Sequence, residues 1–571
     1  MRKVLGLVAA LAAAGASADA NIVLDPSKPA WKDQRNSRSA PDIGYAGANV
    51  EIGGDCFDEF YVRNPETTWK AFQASGAHLV KEWHANERWE QAMAYAALKT
   101  DEERARFRKL KSVSHRAPIC AGPEVYFRWR QQHGVKVLLC LEQYWTWTDF
   151  LNGEKTSDIN AVKKSILAFV KWIVDNGFKD QVVGFELGNE PYFECEGSSP
   201  EKHAARWAQI VPEIKRIFPE CEIGIPIAEY RSGNPDIAAV RARSTAVDKW
   251  FAGGEYFGFQ KLNQWSGRFI VAFSNCLDHC SHVIYHFYGG DIAGDAGPCG
   301  YKRIQNFAKV FPEVKDKRVW ITEWRERSDE DLRCHQMHSS SIFKAHYMMS
   351  TICQRNIDGM FLHLADCFSG GFNIADGKGL YFLQYEETPN CTFGDWDYTG
   401  RPRMEVGPAG PLFKIYSEAL IKHPLIYDHG TWVGFSVTNS SYWSGNEYYD
   451  RFQGPMVKWL REGADPKKKP ANVGNCDWVL LMNPEKTSAA LLVCNSRTGT
   501  WKPSFSVVGY DVGKPHYRTF RCKEEHLFLH QIPGEPSPSW EEEYDGDVSA
   551  LEIPGYTIAT IEFPIRRRAG K

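Results

Sequence analysis

The stretch Val182-Val-Gly-Phe-Glu-Leu-Gly-Asn-Glu-Pro191 predicts a buried strand that ends in two polar residues. Its first residues are almost continuously apolar, which is typical of a strand buried on both faces of a parallel sheet. Proline has no backbone N–H for a sheet ladder, so Pro191 predicts that the strand has ended before it. Asn189 and Glu190 are therefore expected at the carboxyl end of this strand.

Similar apolar runs alternate with helical patterns from about residue 44 to residue 422. The eight predicted strands are Ile43–Ile52, Ala77–Trp83, Val135–Glu142, Val182–Asn189, Glu222–Ala228, His282–Tyr288, Arg318–Glu323 and Gly359–Ala365. Eight parallel strands with helical crossovers predict an α/β protein with a closed (β/α)8, or TIM, barrel. A doubly wound open sheet is the alternative, but it would have fewer strands and a glycine-rich phosphate loop, which the sequence lacks.

The pattern changes after about residue 423, where short alternating strands separated by turns begin. This change predicts a barrel over residues 44–423 and an appended C-terminal β-sandwich domain over residues 424–571. Residues 21–43 form an N-terminal segment, in which Asn21–Leu24 is a candidate strand of the β-domain. The long connection Asp366–Pro408 follows the last barrel strand and is expected to form part of a cleft wall.

The N-terminus has the pattern of a signal peptide, which predicts a secreted protein. Arg2 and Lys3 precede the apolar run Val4–Ala14, and Ala18-Asp-Ala20 offers a small-residue cleavage site, so residues 1–20 are assigned to the signal. No later run has the roughly 18 apolar residues of a membrane span. The net charge of −3 gives no electrostatic case for nucleic acid as a partner.

The 15 cysteines fit an oxidising compartment, in which several are expected to form disulfides. The odd count leaves at least one unpaired, and Cys140 is expected to be free because it lies inside a buried strand. Cys276 and Cys280 are metal-ligand residue types beside histidines, but we expect them to form disulfides, and we predict no metal or other cofactor. Asn390 and Asn439 begin N-glycosylation sequons.

Two glutamates carry the chemical prediction. The stretch Val319-Trp-Ile-Thr-Glu-Trp324 is again an apolar strand ending in a carboxylate, three strands after Glu190. Strands 4 and 7 of a closed eight-strand barrel lie nearly opposite each other, so Glu190 and Glu323 can meet at its active face. Two carboxylates about 5 Å apart are the apparatus of retaining glycoside hydrolysis. Structural ion pairs at the strand ends are the alternative reading.

The barrel and these motifs resemble the clan of retaining (β/α)8 glycoside hydrolases with glutamates on strands 4 and 7. The Glu-Leu-Gly-Asn-Glu-Pro motif is similar to that of the heparanase and β-glucuronidase family, which the C-terminal β-domain also suits. The resemblance implies that Glu190 is the general acid/base and that Glu323 is the nucleophile. It further implies that Asn189 binds the sugar 2-hydroxyl, that Tyr288 donates a hydrogen bond to Glu323, and that His286 lines the site.

Three further predictions concern side chains near the strand ends. Trp145 and Trp324 are the first candidates for indole platforms on which a sugar ring stacks. Strand 2 has Lys81 where the clan often has an arginine. Side chains alternate between the two faces of a strand, so Glu186, four residues before Glu190, is predicted to point into the barrel. Lys81 is its predicted partner.

The sequence therefore predicts a secreted retaining glycoside hydrolase that acts on β-linked glycosides of an oligo- or polysaccharide. A transglycosidase on the same fold is one alternative. A non-catalytic carbohydrate-binding barrel is another, although the presence of both glutamates and Asn189 argues against it. A serine hydrolase is disfavoured because the chain has no Gly-x-Ser-x-Gly elbow.

Overall fold

The computed structural model describes most of the barrel and of the C-terminal domain. The described residues are 20–28, 42–46, 65–76, 78–108, 120–194, 199–227, 259–289, 311–326, 337–353, 357–363, 366–368, 381–385, 402–406, 408–432, 437–438, 454–471, 474–529, 531 and 536–569. The predicted signal sequence, apart from Ala20, and the sequons at Asn390 and Asn439 lie outside them. Within the described residues, no helix is long and apolar enough to cross a membrane.

Eight parallel strands close into a barrel, which confirms the predicted fold class. In chain order, barrel strands 1 to 8 are Asp42–Ala46, Leu79–Glu82, Lys136–Cys140, Val182–Glu186, Glu222–Pro226, His282–Gly289, Arg318–Glu326 and Ile357–His363. Each strand pairs with the next one in the chain. Strand 8 closes the barrel by pairing with strand 1, with Gly359 opposite Asp42. The carboxyl ends of all eight strands therefore open on one face.

Helices connect the strands and cover the outside of the barrel. The described helices are Pro65–Ser75, Ala85–Ala97, Asp101–Arg108, Pro123–His133, Ile159–Asp175, Pro191–Glu194, Pro200–Ile217, Phe259–Ala272, His338–Ile352, Ala409–Lys422 and Gly454–Arg461. Two of these helices begin with a side-chain N-cap. The Asp158 carboxylate accepts from the Ala161 amide at 3.1 Å, and the Ser199 hydroxyl accepts from the Lys202 amide at 3.2 Å.

Smaller elements lie at the carboxyl face of the barrel. A hairpin of Thr146–Asp149 and Glu154–Thr156 follows strand 3. A three-stranded sheet of Asp366–Phe368, Tyr381–Tyr385 and Pro402–Val406 follows strand 8. Loops and hairpins after barrel strands shape the active face of such folds.

The barrel interior is filled by a packed layer below its carboxyl end. This layer contains Leu79, Leu138, Ile284, Trp320 and Phe361. Gly184 makes room for the large indole, because a Cβ atom there would lie 2.4 Å from the ring of Trp320. The layer is a rigid floor, and the side chains two residues further along strands 2, 3 and 6, which are Lys81, Cys140 and His286, point to the same interior above it.

The C-terminal domain is a large antiparallel sheet with a small second layer. The large sheet contains, in spatial order, Val437–Thr438, Leu425–Trp432, Cys476–Met482, Ser488–Asn495, Thr557–Arg567, His516–Cys522 and Ser539–Asp545, and Tyr510–Val512 pairs with its fifth strand. The second layer pairs Ala20–Leu24 in parallel with Pro503–Val507. Along Cys476–Met482, Trp478 and Leu480 pack in the core shared with this second layer, whereas Val479 and Leu481 pack in the core shared with the barrel. This alternation buries both faces of the sheet.

The cysteines differ from the prediction in part. All nine for which a side chain is described are buried, and none of these nine forms a disulfide. They include Cys140, as predicted, and also Cys276 and Cys280, so the disulfides expected for the latter two are wrong. Both of these lie in or just after a 3₁₀ helix, Ser274–His279, where the Cys280 thiol donates to the backbone oxygen of Cys276 at 3.8 Å. They pack as small apolar side chains in the core outside the barrel.

Candidate active site at the carboxyl end of the barrel

Glu190 lies on a sharp turn just after barrel strand 4. Its φ angle is 40°, in the left-handed region that few non-glycine residues occupy, and Gly188 before it has a φ of 94°. Such a backbone persists only where the surroundings fix it. The turn carries the Glu190 side chain over the barrel mouth, where it remains 23% exposed.

Glu323 reaches the interior through a β-bulge in strand 7. Ile321 pairs with Tyr285 of strand 6, and Glu323 pairs with the next residue, His286, which leaves Thr322 as the extra residue. A bulge of this kind redirects the side chains that follow it. Glu323 is therefore turned into the barrel, and the residue as a whole is only 2% exposed.

His286 joins the two glutamates. Its Nδ1 atom lies 2.8 Å from Oε1 of Glu190 and 3.2 Å from Oε2 of Glu323. Its Nε2 atom lies 3.0 Å from the hydroxyl oxygen of Thr322. One carboxylate oxygen of Glu190 and one of Glu323 lie within 4.8 Å of each other. The structure thus brings the two predicted carboxylates together, with an imidazole between them.

Lys81 of strand 2 lies below this pair and is fully buried. Its Nζ atom is 3.1 Å from Oε2 of Glu186 and 3.4 Å from Oε1 of Glu323. It also donates to the side-chain oxygen of Asn189 at 3.1 Å. The predicted pairing of Lys81 with Glu186 is confirmed, and the same ammonium holds two of the predicted site residues.

The neighbouring carboxylates keep two basic groups, His286 and Lys81, in their charged forms. Burial alone would lower the pKa of His286, but the charge of Glu323 and hydrogen bonds to Glu186 and Glu190 raise it to about 9. Burial would likewise lower the pKa of Lys81, yet the carboxylates of Glu186 and Glu323 hold it above its usual value. An imidazolium and an ammonium therefore face the glutamates near neutral pH.

The turn that carries Glu190 rests on His203, a residue that sequence reasoning missed. A Cβ atom on Gly188 would lie 3.4 Å from the His203 ring. The Nδ1 atom of His203 lies 2.9 Å from Tyr144 Oη, and its Nε2 atom accepts from Trp207 Nε1 at 3.2 Å. Burial lowers the pKa of His203 to about 3, so it is a neutral support. No local pattern distinguishes it from an ordinary helical histidine, and only the fold brings it under the turn.

The remaining predicted site residues have different outcomes. Trp145 is half-buried at the start of the hairpin after strand 3, with Lys155 Nζ 4.0 Å above its ring centroid. Tyr288 belongs to strand 6, but its side chain lies outside the described part of the chain.

Trp324 is a correction. Its side chain is 0% exposed and stacks on Tyr347 at 4.7 Å between ring centroids, with Phe413 at 6.2 Å. Because the bulge turns Glu323 inward, the next side chain points outward into the core between the barrel and its helices. The prediction that Trp324 is a sugar platform is therefore wrong.

Among the residues that the structure describes, two groups of side chains have metal-ligand chemistry. Glu190, His286 and Glu323 form one, and Glu222, His282 and Asp358 at the opposite end of the barrel form the other. In the first, the charged imidazole of His286 contacts both carboxylates and Lys81 contacts that of Glu323. In the second, Arg318 binds both carboxylates, lying 2.8 Å from Asp358 and also contacting Glu222. In both groups a cationic side chain lies against the carboxylates, where a metal ion would otherwise bind. Neither group is therefore assigned as a metal centre.

Comparisons with known proteins find similarity in structure alone. No protein-family model matches the chain, and no curated protein matches it in sequence. An α-L-arabinofuranosidase from Thermotoga maritima, solved with arabinose, has a TM-score of 0.56 and 10% identity over 95% of this chain and 99% of its own. A thermostable GH51 α-L-arabinofuranosidase from Thermotoga petrophila has a TM-score of 0.57 and 12% identity over the same shares. A family 51 α-L-arabinofuranosidase from Bifidobacterium longum has a TM-score of 0.57 and 10% identity over 96% and 100%.

Proposed function

We propose that this protein is a retaining glycoside hydrolase in which Glu190 is the general acid/base and Glu323 is the nucleophile. The observation that carries the proposal is the carboxylate pair itself. An oxygen of Glu190 and an oxygen of Glu323 lie within 4.8 Å of each other, at the ends of strands 4 and 7. Retaining enzymes hold their carboxyl groups about 5–5.5 Å apart, whereas inverting enzymes leave about 6.5–9.5 Å for a water molecule.

The environments of the two glutamates support these roles. Glu323 is buried and contacts two cationic groups, Lys81 and His286, so its ionised form is stabilised, as a nucleophile requires. Glu190 is more exposed and contacts His286, so it can exchange its proton with solvent. In the first step Glu323 attacks the sugar carbon while Glu190 protonates the leaving oxygen. In the second, Glu190 removes a proton from the water that releases the sugar.

The proposed substrates are glycosides of an oligo- or polysaccharide. The resemblance in the strand motifs favours β-linked sugars, and the structural likeness to three α-L-arabinofuranosidases adds arabinofuranosides to those worth testing. Asn189 is proposed to bind the 2-hydroxyl of the reacting sugar, and Trp145 is proposed to stack on a neighbouring ring. The N-terminal pattern supports export as part of the same proposal.

The test is hydrolysis of a panel of aryl β-glycosides, aryl β-glucuronides and aryl α-L-arabinofuranosides. The wild type is compared with Glu190→Ala, Glu323→Ala and, as a matched control, Glu222→Gln at the opposite end of the barrel. We expect Glu323→Ala to lose about a thousandfold or more in kcat/KM, because no other group can form the covalent intermediate. Glu222→Gln should retain wild-type kcat/KM.

Added azide separates the two roles. In Glu190→Ala, azide should attack the glycosyl-enzyme and release a glycosyl azide of the same anomeric configuration as the substrate. In Glu323→Ala, azide should attack the substrate directly and release the opposite anomer. If Glu190→Ala released the opposite anomer and Glu323→Ala released the same anomer, the roles of the two glutamates would be the reverse of those proposed. A wild type inert on the whole panel, or a fully active Glu323→Ala, would refute the proposal.

A further inference from the structure

A third carboxylate, Glu186, lies beneath the Glu190–Glu323 pair. Its side chain is 0% exposed, and its two oxygens lie 3.3 and 3.1 Å from Lys81 Nζ. One of them is also 3.6 Å from His286 Nε2. A buried carboxylate is costly unless cations neutralise it. Glu186 therefore favours the charged forms of Lys81 and His286, although it is too deep to meet a sugar.

The described side chains of this interior layer contain more negative than positive groups. The charged groups are Glu186, Glu190, Glu323, Lys81 and His286. The other polar or titratable groups described against them are Asn189, Cys140 and Thr322. Gly224 of strand 5 and Phe361 of strand 8 have no titratable side chain and lie at the floor below this layer. With three carboxylates and two cations, one proton on a carboxylate makes the layer neutral.

The three carboxylates differ in their contacts with the two cations. Glu323 faces both cations, with Lys81 at 3.4 Å and His286 at 3.2 Å. Glu186 faces the same two cations. Among the described residues, Glu190 contacts only His286, at 2.8 Å. Glu190 thus has one cationic contact fewer than the other two, and the role of general acid proposed for it requires the proton there.

We propose that Glu186 is a positioning residue that sets the protonation of the catalytic pair, so that Glu190 holds a proton while Glu323 is ionised. It does so by adding one buried negative charge beyond what the two cations neutralise. Removing that charge would leave two carboxylates and two cations, which are neutral with Glu190 already deprotonated. The inference rests on the proposed function, because it assigns Glu190 the role of general acid.

The test is the pH profile of kcat/KM for Glu186→Gln, which removes the charge and keeps the shape. The basic limb of the profile reports deprotonation of the general acid, and the acidic limb reports ionisation of the nucleophile. We expect both limbs to move to lower pH, by about one to three pH units. At pH 7 an aryl glycoside with a poor leaving group should lose more activity than one with a good leaving group, because only the former needs protonation.

Three comparison variants separate the effect of the Glu186 charge from other effects of the substitution. Glu222→Gln removes one carboxylate from the far end of the same barrel, and its limbs should overlie those of the wild type. Glu186→Asp retains the charge and should restore the limbs, even if kcat falls. The double variant Glu186→Gln with Lys81→Met removes one charge of each sign. It should bring the limbs back towards their wild-type positions, and it serves as the readout if Glu186→Gln alone does not fold.

The outcomes separate this inference from the proposed function. If the wild type hydrolyses a glycoside and the limbs of Glu186→Gln stay at their wild-type positions, the positioning role of Glu186 is refuted and the proposed function stands. Limbs that move to higher pH would refute it equally. If the double variant folds but shifts its limbs by as much as the single one, charge is not the cause. A wild type inert on every glycoside would refute the proposed function, and this inference with it.

Discussion

The Nδ1 atom of His286 lies 2.8 Å from a carboxylate oxygen of Glu190 at the carboxyl end of the barrel. The same nitrogen faces Glu323, and the opposite nitrogen contacts the Thr322 hydroxyl. The imidazole is thus held by strand 7 and by the turn after strand 4. Its charge is part of the structure of the site, and its loss should be visible in the stability of the folded protein.

The first prediction is that His286 stabilises the fold at low pH and not at high pH. Its pKa is about 9 in the folded protein, against 6.5 for an unperturbed histidine. The stabilisation is fully present below pH 6.5, falls as the pH rises, and is lost above pH 9. The difference in free energy of unfolding between wild type and His286→Gln should shrink by up to about 3 kcal/mol between pH 6 and 9. Urea denaturation at both pH values measures it.

His203→Gln is the matched control for this prediction. The pKa of His203 is lowered to about 3 by burial, so it is neutral in the folded state throughout this window. Its contribution to stability should fall only below pH 6.5, where the unfolded chain takes up the proton. A wild type that loses the same stability relative to both variants between pH 6 and 9 would contradict the assignment to His286.

The barrel could be predicted from the sequence because the described side chains of strands 2 to 8 are largely buried on both faces. Each predicted strand overlaps an observed one, and the order around the barrel follows the order in the chain. Side-chain direction was less predictable near Glu323. The bulge at Thr322 has no signal in the apolar run, and it decides that Trp324 faces the core. The support of Gly188 by His203 likewise depends on a contact between distant segments.

The second prediction contrasts the two tryptophans that the sequence proposed as sugar platforms. Trp324→Ala should lower the free energy of unfolding by about 3–5 kcal/mol, because it leaves a cavity among stacked rings. Trp145→Ala should leave stability nearly unchanged and raise KM for an oligosaccharide about threefold to tenfold, the value of one aromatic contact. Thermal denaturation and steady-state kinetics on both variants test the contrast. A Trp324→Ala variant that keeps its stability and has a raised KM would support the original prediction that Trp324 is a sugar platform.

The third prediction concerns the buried thiols. Nine cysteines in the described part of the chain are buried and form no disulfide, including Cys140 in the barrel and Cys494 in the C-terminal sheet. These nine should be alkylated only after unfolding, without any reductant, because burial shields them in the native state and raises the pKa of Cys494 well above its usual value. Peptide mapping by mass spectrometry identifies each site. Modification that requires a reductant at Cys276 or Cys280 would show that the predicted disulfides form after all.

The last prediction concerns the ion cluster at the amino end of the barrel. Asp358 lies 2.9 Å from His282 Nε2 and 2.8 Å from an Arg318 nitrogen, and it thereby ties together the starts of strands 6, 7 and 8. The His282 ring also stacks on Trp320, with centroids 3.7 Å apart, at the floor of the interior. Asp358→Asn replaces one of the two carboxylates that bind Arg318 with a neutral amide, and we expect it to cost about 1–3 kcal/mol of unfolding free energy.

The amino face of such barrels serves stability, whereas the carboxyl face serves catalysis. Asp358→Asn should therefore lower the unfolding midpoint in urea and leave kcat/KM per folded molecule at the wild-type value. Both quantities are measured on one preparation, at a temperature well below the midpoint. A variant that keeps its stability and loses activity would show that the cluster acts on the site through the Trp320 floor. That result would overturn the separation of the two faces argued for this barrel.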